Sequence, residues 1–270
     1  NFAMVTYKFL PLEEGAILLL RLREKQVNFL RIGVNYDSDE KNTILANLLF
    51  RNLVLRGSRL SFETKIGEQR RNDFVYFYDN GWVPGFSLMF HDQMIKFFLF
   101  NDGEKSSSLK MIEQHISLQV QSSIKNSLAI GGGVQYERIK YSDIINNFIG
   151  DTDPFELLNY YGYIKFDILD KSWFPHNGVE AYFETKLINV DFQNNIENLR
   201  SSIVTQYRLM RPIAITERLT LIAHIYAGSV IGDDTPYEYG FFFGGNKFAG
   251  KGIFPFVGID PGEHLEYQDI

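Results

Sequence analysis

The chain has 270 residues with a formal net charge of −6, and this acidic balance argues against a nucleic-acid-binding protein, which would usually be basic. It contains no cysteine, which excludes disulfides, thiolate metal sites and a cysteine nucleophile. No apolar run approaches the roughly 18 residues of a transmembrane helix, and no signal peptide is visible at Asn1, so we expect an exported protein to begin here as a mature or excised fragment.

The first segment differs from the rest of the chain. Residues 2–10 and 17–23 have the pattern of two strands joined by a turn at residues 11–15, and a Glu-Lys pair at residues 24–25 leads into the next strand. This arrangement is typical of the last hairpin of a small α/β domain. We therefore expect residues 1–26 to be the C-terminal part of such a domain.

The remainder, residues 27–270, alternates between apolar and polar residues with a period of two. Between residues 178 and 188, one side carries Val179, Ala181, Phe183, Thr185 and Leu187, and the other carries Glu180, Tyr182, Glu184 and Lys186. A strand separates such residues onto two faces, whereas a helix would scatter them. The same pattern predicts eleven strands, at residues 28–37, 42–54, 58–69, 71–80, 85–101, 109–124, 126–142, 157–170, 177–191, 197–212 and 217–230. Several reach the length of about 9–11 residues that a tilted strand needs to cross a bilayer.

The connections between these strands are of two kinds. Short turns are expected at residues 56–57, 125–126 and 216–217, and longer polar loops at residues 102–108, 142–154 and 231–261. Short turns that alternate with longer loops are typical of bacterial outer-membrane barrels. The fold class is therefore predicted to be all-β, a transmembrane antiparallel β-barrel. The alternative is a soluble β-sandwich or lipocalin-like barrel that binds an apolar ligand.

Aromatic residues concentrate near the expected strand ends, where a bilayer interface favours amphipathic rings. They are Phe74, Tyr76, Phe77, Tyr78, Trp82, Phe97, Phe98, Phe100, Tyr160, Tyr161, Tyr163, Trp173 and Phe174. The expected inner face carries both signs of charge, at Arg31, Asn35, Glu63, Lys65, Gln119, Gln135, Lys165, Asp167, Glu180, Glu184, Lys186, Gln206 and Arg208. This mixture indicates a lumen filled by its own ion pairs and by a loop. The three glycines at residues 131–133 are expected to permit strand bending or the close approach of that loop.

Sequence motifs for catalysis or metal binding are absent. The sequence has no Gly-x-Ser-x-Gly elbow, no His-Glu-x-x-His and no P-loop, and the nearest string to an elbow, at residues 85–89, lacks the closing glycine. The histidines are scattered, and each is interpreted as a lumen or loop residue: His91, His115, His176, His224 and His264. Asp102-Gly103 is interpreted as a plain turn. We therefore expect no enzyme, no metal and no cofactor in this chain.

At four stretches the sequence resembles the barrels of the outer-membrane assembly-factor superfamily, also called the bacterial surface antigen family. Residues 14–25 look like the close of a polypeptide-transport-associated domain, and residues 30–67 are similar to the first three barrel strands. Residues 170–178 resemble the Asp…Pro…Gly turn between two central strands, and residues 241–258 resemble the loop that folds back into the lumen. Members of the family include the outer-membrane protein insertase, two-partner secretion transporters and barrels fused to patatin-like phospholipases.

The resemblance implies a barrel of sixteen strands, of which about eleven lie in this chain. An open sheet would leave unpaired edges in lipid, so we expect the sheet to continue past Ile270 or to be closed by other polypeptide. The resemblance also implies a lumen loop at about residues 231–262, with the motif Gly244, Gly245, Lys251, Gly252, Phe254, Pro255 and Phe256, and a strand-turn motif of Asp170, Trp173, Pro175 and Gly178. The nearest match to the Arg-Gly that locks this loop in the family is Lys251-Gly252, set slightly further from Gly244-Gly245. Lysine cannot make the bidentate contact of arginine.

The function implied by the resemblance is that of a membrane anchor and translocation unit, for an attached patatin-like domain or for polypeptide cargo. The sequence of residues 241–258 is more similar to that of the patatin-linked barrels than to that of the insertase. A fusion of this kind would have its catalytic domain before Asn1. The alternatives are an insertase or two-partner secretion transporter and, in another class, a passive porin. The implied location is the bacterial outer membrane, with the N-terminal segment in the periplasm. The implied partners are lipid, lipopolysaccharide, polypeptide cargo and other outer-membrane proteins, and a homodimer stays open.

Overall fold

The computed structural model describes residues 2–12, 15–24, 28–37, 41–101, 104–125, 127–145, 153–190, 200–232, 235–236, 239–243 and 253–254. No helix within these ranges is long and apolar enough to cross a membrane. Strands β1 (Phe2–Leu12) and β2 (Gly15–Glu24) pair antiparallel, which confirms the hairpin predicted for the first segment. That this hairpin closes an α/β domain stays a prediction.

The next eleven strands form one antiparallel sheet in which each strand pairs with its neighbours in sequence. They are β3 (Phe29–Asp37), β4 (Lys41–Arg51), β5 (Ser58–Ile66), β6 (Arg70–Asn80), β7 (Val83–Asn101), β8 (Glu104–Ile124), β9 (Leu128–Ile145), β10 (Phe155–Asp167), β11 (Glu180–Val190), β12 (Arg200–Ala214) and β13 (Thr220–Ile231). The predicted strand number is thereby confirmed. Two short strands, β14 (Phe242–Phe243) and β15 (Ile253–Phe254), pair parallel to each other outside this sheet.

Some predicted boundaries are wrong. The loop expected at residues 102–108 is mostly strand, because β8 begins at Glu104 and pairs with β7 as far as Asn101. The backbone pairing of this hairpin extends past the residues that alternate between apolar and polar, and the prediction was based on that alternation. Tyr160, Tyr161 and Tyr163 lie inside β10 and not at its ends.

One face of the sheet, called here the apolar face, presents a continuous apolar row across ten strands. Its members are direct cross-strand partners: Phe50, Leu60, Tyr76, Leu88, Leu118, Val134, Tyr160, Leu187, Ile203 and Ile231. Leu118 is 57% exposed and Ile231 66% exposed. An exposed apolar surface of this extent marks a protein or membrane contact.

A polar row crosses the same face on six of these strands, four residues away from the apolar row on each strand. It consists of Thr64, Asn72, Asp92, Gln114, Arg138 and Glu156, again as direct cross-strand partners. Asp92 is only 7% exposed and accepts hydrogen bonds from Asn72 Nδ2 at 3.0 Å and Gln114 Nε2 at 3.0 Å, while Arg70 lies 3.1 Å away in an ion pair. The polar side chains around Asp92 therefore form hydrogen bonds and an ion pair with it.

The opposite face, called here the polar face, also holds the most buried apolar side chains. Met111, Ile139, Leu157 and Ile188 form a cluster there with Tyr239, which comes from the segment after β13. Ile139, Leu157 and Ile188 are fully buried. The core of the sheet therefore lies where that segment contacts strands β8 to β11.

Candidate functional site

Tyrosine rings and glycines interlock on the polar face. Tyr163 of β10 lies opposite Gly131 of β9, and a Cβ added at Gly131 would lie 2.6 Å from the Tyr163 hydroxyl. Gly133 is paired in the same way with Tyr161. The glycines thus leave space for the tyrosine rings of the adjacent strand. This arrangement fixes the register between β9 and β10. Among the described residues, these rings are the side chains nearest to the two glycines.

The tyrosine hydroxyls extend this arrangement to β8. Tyr163 donates to Gln121 Oε1 at 2.5 Å, and Tyr161 donates to Gln119 Oε1 at 3.1 Å. Gln119 Nε2 in turn donates to the Tyr163 hydroxyl oxygen at 2.6 Å. These hydrogen bonds link the side chains of β10 to those of β8 across the glycines of β9.

Charged groups of both signs pair along the polar face, as the sequence predicted. Arg71 contacts the carboxylates of Glu63 and Asp73, the latter at 2.9 Å. Lys165 lies 3.3 Å from Glu180 on the next strand. Both signs of charge are therefore present and paired on the described part of this face.

Tyr239 connects the segment after β13 to the centre of the polar face. Its side chain is 3% exposed, its hydroxyl donates to the carboxylate of Glu137, and it accepts from Asn159 Nδ2 at 2.7 Å. Asn159 also donates to Glu137 at 3.0 Å, which closes a three-residue network. The Lys186 ammonium lies 5.5 Å from the centre of the Tyr239 ring, within cation–π range.

Two residues further on, Phe241 contacts the sheet at a glycine. A Cβ added to Gly228 of β13 would collide with the Phe241 ring. Tyr239 and Phe241 therefore both contact the polar face. The absence of a side chain at Gly228 is what permits the close approach of Phe241.

Two of the five histidines, far apart in sequence, are direct neighbours in the structure. His91 of β7 and His115 of β8 are cross-strand partners, and their rings stack with centroids 4.7 Å apart and an interplanar angle of 20°. His91 Nδ1 contacts the Asp73 carboxylate, and His115 Nδ1 lies 3.2 Å from Glu113 Oε1. The interpretation of the histidines as scattered is wrong for this pair, because β-pairing brings positions 24 residues apart into contact.

The strand-turn motif forms a closed turn between β10 and β11. Asp170 Oδ1 accepts hydrogen bonds from the backbone N–H of His176 at 2.9 Å and of Asn177 at 3.1 Å. Chiefly the Asn177 bond holds the pKa of the Asp170 carboxyl below its ordinary value. Gly178 has φ +107°, a conformation that other residues rarely adopt. Pro175 is buried, whereas Trp173 is 82% exposed and therefore free to contact an interface.

Most of the lumen-loop motif lies outside the described residues. This is so for Gly244, Gly245, Lys251, Gly252, Pro255 and Phe256, whereas Phe254 forms part of β15. The turn expected at Asp102-Gly103 also falls outside them. The role of the motif therefore stays a prediction.

Sequence analysis missed the residues that hold the segment after β13. Tyr239, Glu137 and Asn159 belong to no motif, and 80 positions separate Asn159 from Tyr239. The available signal was the density of aromatic residues at positions 237–243, within an otherwise polar loop. The polar row on the apolar face was likewise missed, since each member looks like an ordinary strand residue.

Comparisons with known proteins agree with this architecture. A family model of the OMP85 superfamily matches residues 16–266. No curated protein matches the chain significantly. Among solved structures, the crystal structure of BamA from Haemophilus ducreyi lacking POTRA domains 1-3 aligns with a TM-score of 0.59 at 12% identity, covering 86% of this chain and 47% of that chain. The chain thus spans about half the length of that structure, and the likeness shows the fold.

Proposed function

Because the chain belongs to the OMP85 superfamily, we propose that its sheet is the larger part of a bacterial outer-membrane β-barrel that anchors and translocates polypeptide. The observation that carries this proposal is the opposite character of the two faces. One has a ten-strand apolar row, and the other has a hydrogen-bonded network of charged and polar groups. Lipid on one side and a hydrated lumen on the other account for both.

The strand dimensions support the membrane location. The sheet strands have 9 to 21 residues, and about 9–11 are sufficient to cross the hydrocarbon layer. Within a bilayer every backbone N–H and C=O needs a partner. The edges at β3 and β13 have none within the described sheet, so closure by further strands, to sixteen in all, is part of the proposal.

The segment after β13 supports translocation rather than passive diffusion. Tyr239 reaches β9 and β10 and is bound there by Glu137 and Asn159, which supports a lumen that the chain itself partly fills. A passive porin would leave such a face open to water. We propose that release of this contact opens a path for polypeptide.

The finer proposal is that the barrel serves an attached patatin-like domain. The resemblance of residues 241–258 to the patatin-linked barrels supports this proposal. Membership of the OMP85 superfamily fits a barrel with no enzymatic activity of its own. Intact mass and peptide sequencing of the protein extracted from membranes test this. A Gly-x-Ser-x-Gly elbow upstream would support the finer proposal, whereas repeated small α/β domains would favour an insertase or secretion transporter.

The membrane proposal is testable with two adjacent positions on β13. Ile225 is 54% exposed on the apolar face, and His224 is exposed on the polar face. These 270 residues contain no cysteine. Single spin labels can therefore be placed at Ile225→Cys and His224→Cys in the full-length protein in liposomes, after replacement of any cysteine outside this chain. We expect oxygen to relax the label at Ile225→Cys and an aqueous nickel chelate to relax the label at His224→Cys. Aqueous relaxation at both positions would reject a membrane-spanning sheet.

The translocation role is tested separately in the same liposomes. With the full-length protein, we expect single-channel conductance to be low and intermittent, and to become larger and steadier in Tyr239→Ala. A large constant conductance in the unmodified protein would instead identify a passive porin.

A further inference from the structure

We propose that His91, Glu113 and His115 form a binding site for a divalent transition-metal ion, of the kind that zinc occupies, on the polar face of the sheet. One nitrogen from each histidine and one carboxylate oxygen of Glu113 lie within 4.8 Å of one another. The three side chains come from the paired strands β7 and β8, so the most regular part of the fold holds them. This site does not depend on the proposed transport function.

The three residues have the chemistry of a metal site. Two imidazoles and one carboxylate form a three-ligand set that zinc accepts, with a fourth position left for water or another ligand. Imidazole also suits copper, nickel and iron, whereas magnesium and calcium prefer oxygen ligands. The side chains are 13% (His91), 4% (Glu113) and 11% (His115) exposed, so they are shielded yet reachable from solvent.

Neighbouring side chains orient these ligands. The Asp73 carboxylate contacts His91 Nδ1, which leaves His91 Nε2 as the free ligand atom. A carboxylate on the second nitrogen is the usual partner of a metal-bound histidine. Gln93 Nε2 donates to Glu113 Oε2 at 2.6 Å, which directs the other oxygen, Oε1, towards His115. Arg71, bonded to both Asp73 and Glu63, holds the Asp73 side chain in place.

Metal binding requires a small rearrangement. Ligand atoms around a tetrahedral zinc lie about 3.5 Å apart, given bond lengths of about 2.0–2.2 Å. The most widely separated of these atoms, up to 4.8 Å apart, must therefore approach by about 1 Å. The stacked rings must also turn so that each ring plane includes the ion. The proposal requires this change to come from rotation about the side-chain torsions, with the strands kept in place.

The test uses the full-length, tag-free protein in detergent micelles, stripped of metal with a chelator. Titration with Co²⁺ reports the site through visible absorption, and competition with Zn²⁺ gives its affinity. We expect one equivalent per chain in the unmodified protein, and loss of the absorption band in His91→Ala and His115→Ala. The positioning variant Asp73→Asn should bind about 10–100-fold more weakly. The matched control is His224→Ala, a histidine on the same face that stacks on Tyr226 and should leave binding unchanged.

A second measurement needs no substitution, so misfolded variants cannot obscure the result. Zn²⁺ should protect His91 and His115 of the unmodified protein from diethylpyrocarbonate, as mapped by mass spectrometry, but should leave His224 reactive. Absence of stoichiometric binding would overturn the proposal. So would binding that survives in both histidine variants, or equal protection of His224.

Discussion

The Tyr239 hydroxyl donates a hydrogen bond to the Glu137 carboxylate across 102 positions of sequence, from a segment outside the sheet to the middle of β9. Both side chains are almost completely buried. Because the same hydroxyl accepts from Asn159, its removal affects two buried polar groups together.

Tyr239→Phe should therefore destabilise the protein by about 1–3 kcal/mol, the cost of leaving buried polar groups without a partner. Urea unfolding in detergent micelles, followed by tryptophan fluorescence, measures this change. The control is Tyr160→Phe, in which the ring is 45% exposed in the apolar row and where we expect less than about 0.5 kcal/mol. Equal effects of the two substitutions would show that the Tyr239 network does not hold the segment.

Gly131→Ala should destabilise the sheet by about 1–3 kcal/mol, because its methyl group overlaps the Tyr163 ring and forces it out of place. The matched control is Gly162→Ala on the partner strand, where the nearest atom to the added Cβ is 3.9 Å away. We expect that control to be neutral or slightly stabilising, because alanine loses less conformational entropy on folding than glycine. The same unfolding measurement compares the two, and a larger loss in Gly162→Ala would contradict the interlocking of Tyr163 with Gly131.

Asp92→Leu should cost about 1–3 kcal/mol although it adds an apolar group to the apolar face. The substitution removes the common acceptor of Asn72 and Gln114 and the partner of Arg70. Adding Arg70→Met should restore part of the loss, because a fully apolar pair in lipid leaves no unpaired charge. Unfolding midpoints of the two single variants and the double variant measure the coupling. Additive losses would mean that Asp92 and Arg70 act independently.

The turn at Asp170 should open in acid. The pKa of Asp170 is lowered below 3.8, so the carboxylate stabilises the turn fully above that pH and loses its contribution as pH falls through the lower folded-state pKa. In a Trp82→Phe background, Trp173 is the remaining tryptophan of this chain and reports the turn. Its fluorescence anisotropy should stay constant down to about pH 3.8 and fall as the pH drops further through the lowered pKa. In Asp170→Ala we expect a low anisotropy at every pH, and an unchanged acid transition in that variant would assign the effect to another group.

The sequence predicted the sheet well because a strand can be recognised from the local alternation of apolar and polar residues. Eleven segments with a period of two became eleven strands, and the polar residues at Lys165, Glu180 and Glu184 became members of a paired network. The errors lie where pairing does not depend on apolar alternation. The β7–β8 hairpin continues through residues 104–108, which have no such alternation, because backbone hydrogen bonds alone are sufficient there.

The amino-acid pattern by itself determined which residues of a strand share a face of the sheet, because side chains of a strand alternate strictly between two faces. Only the tertiary structure decided which positions meet across strands. Register places His91 against His115 and Tyr163 over Gly131, and it aligns the polar row through Asp92. The docking of Tyr239 on Glu137 depends on the path of a long connection, which no local pattern specifies. Contacts of this kind follow from the three-dimensional arrangement of distant segments, and they contain the features on which the proposed transport and metal sites depend.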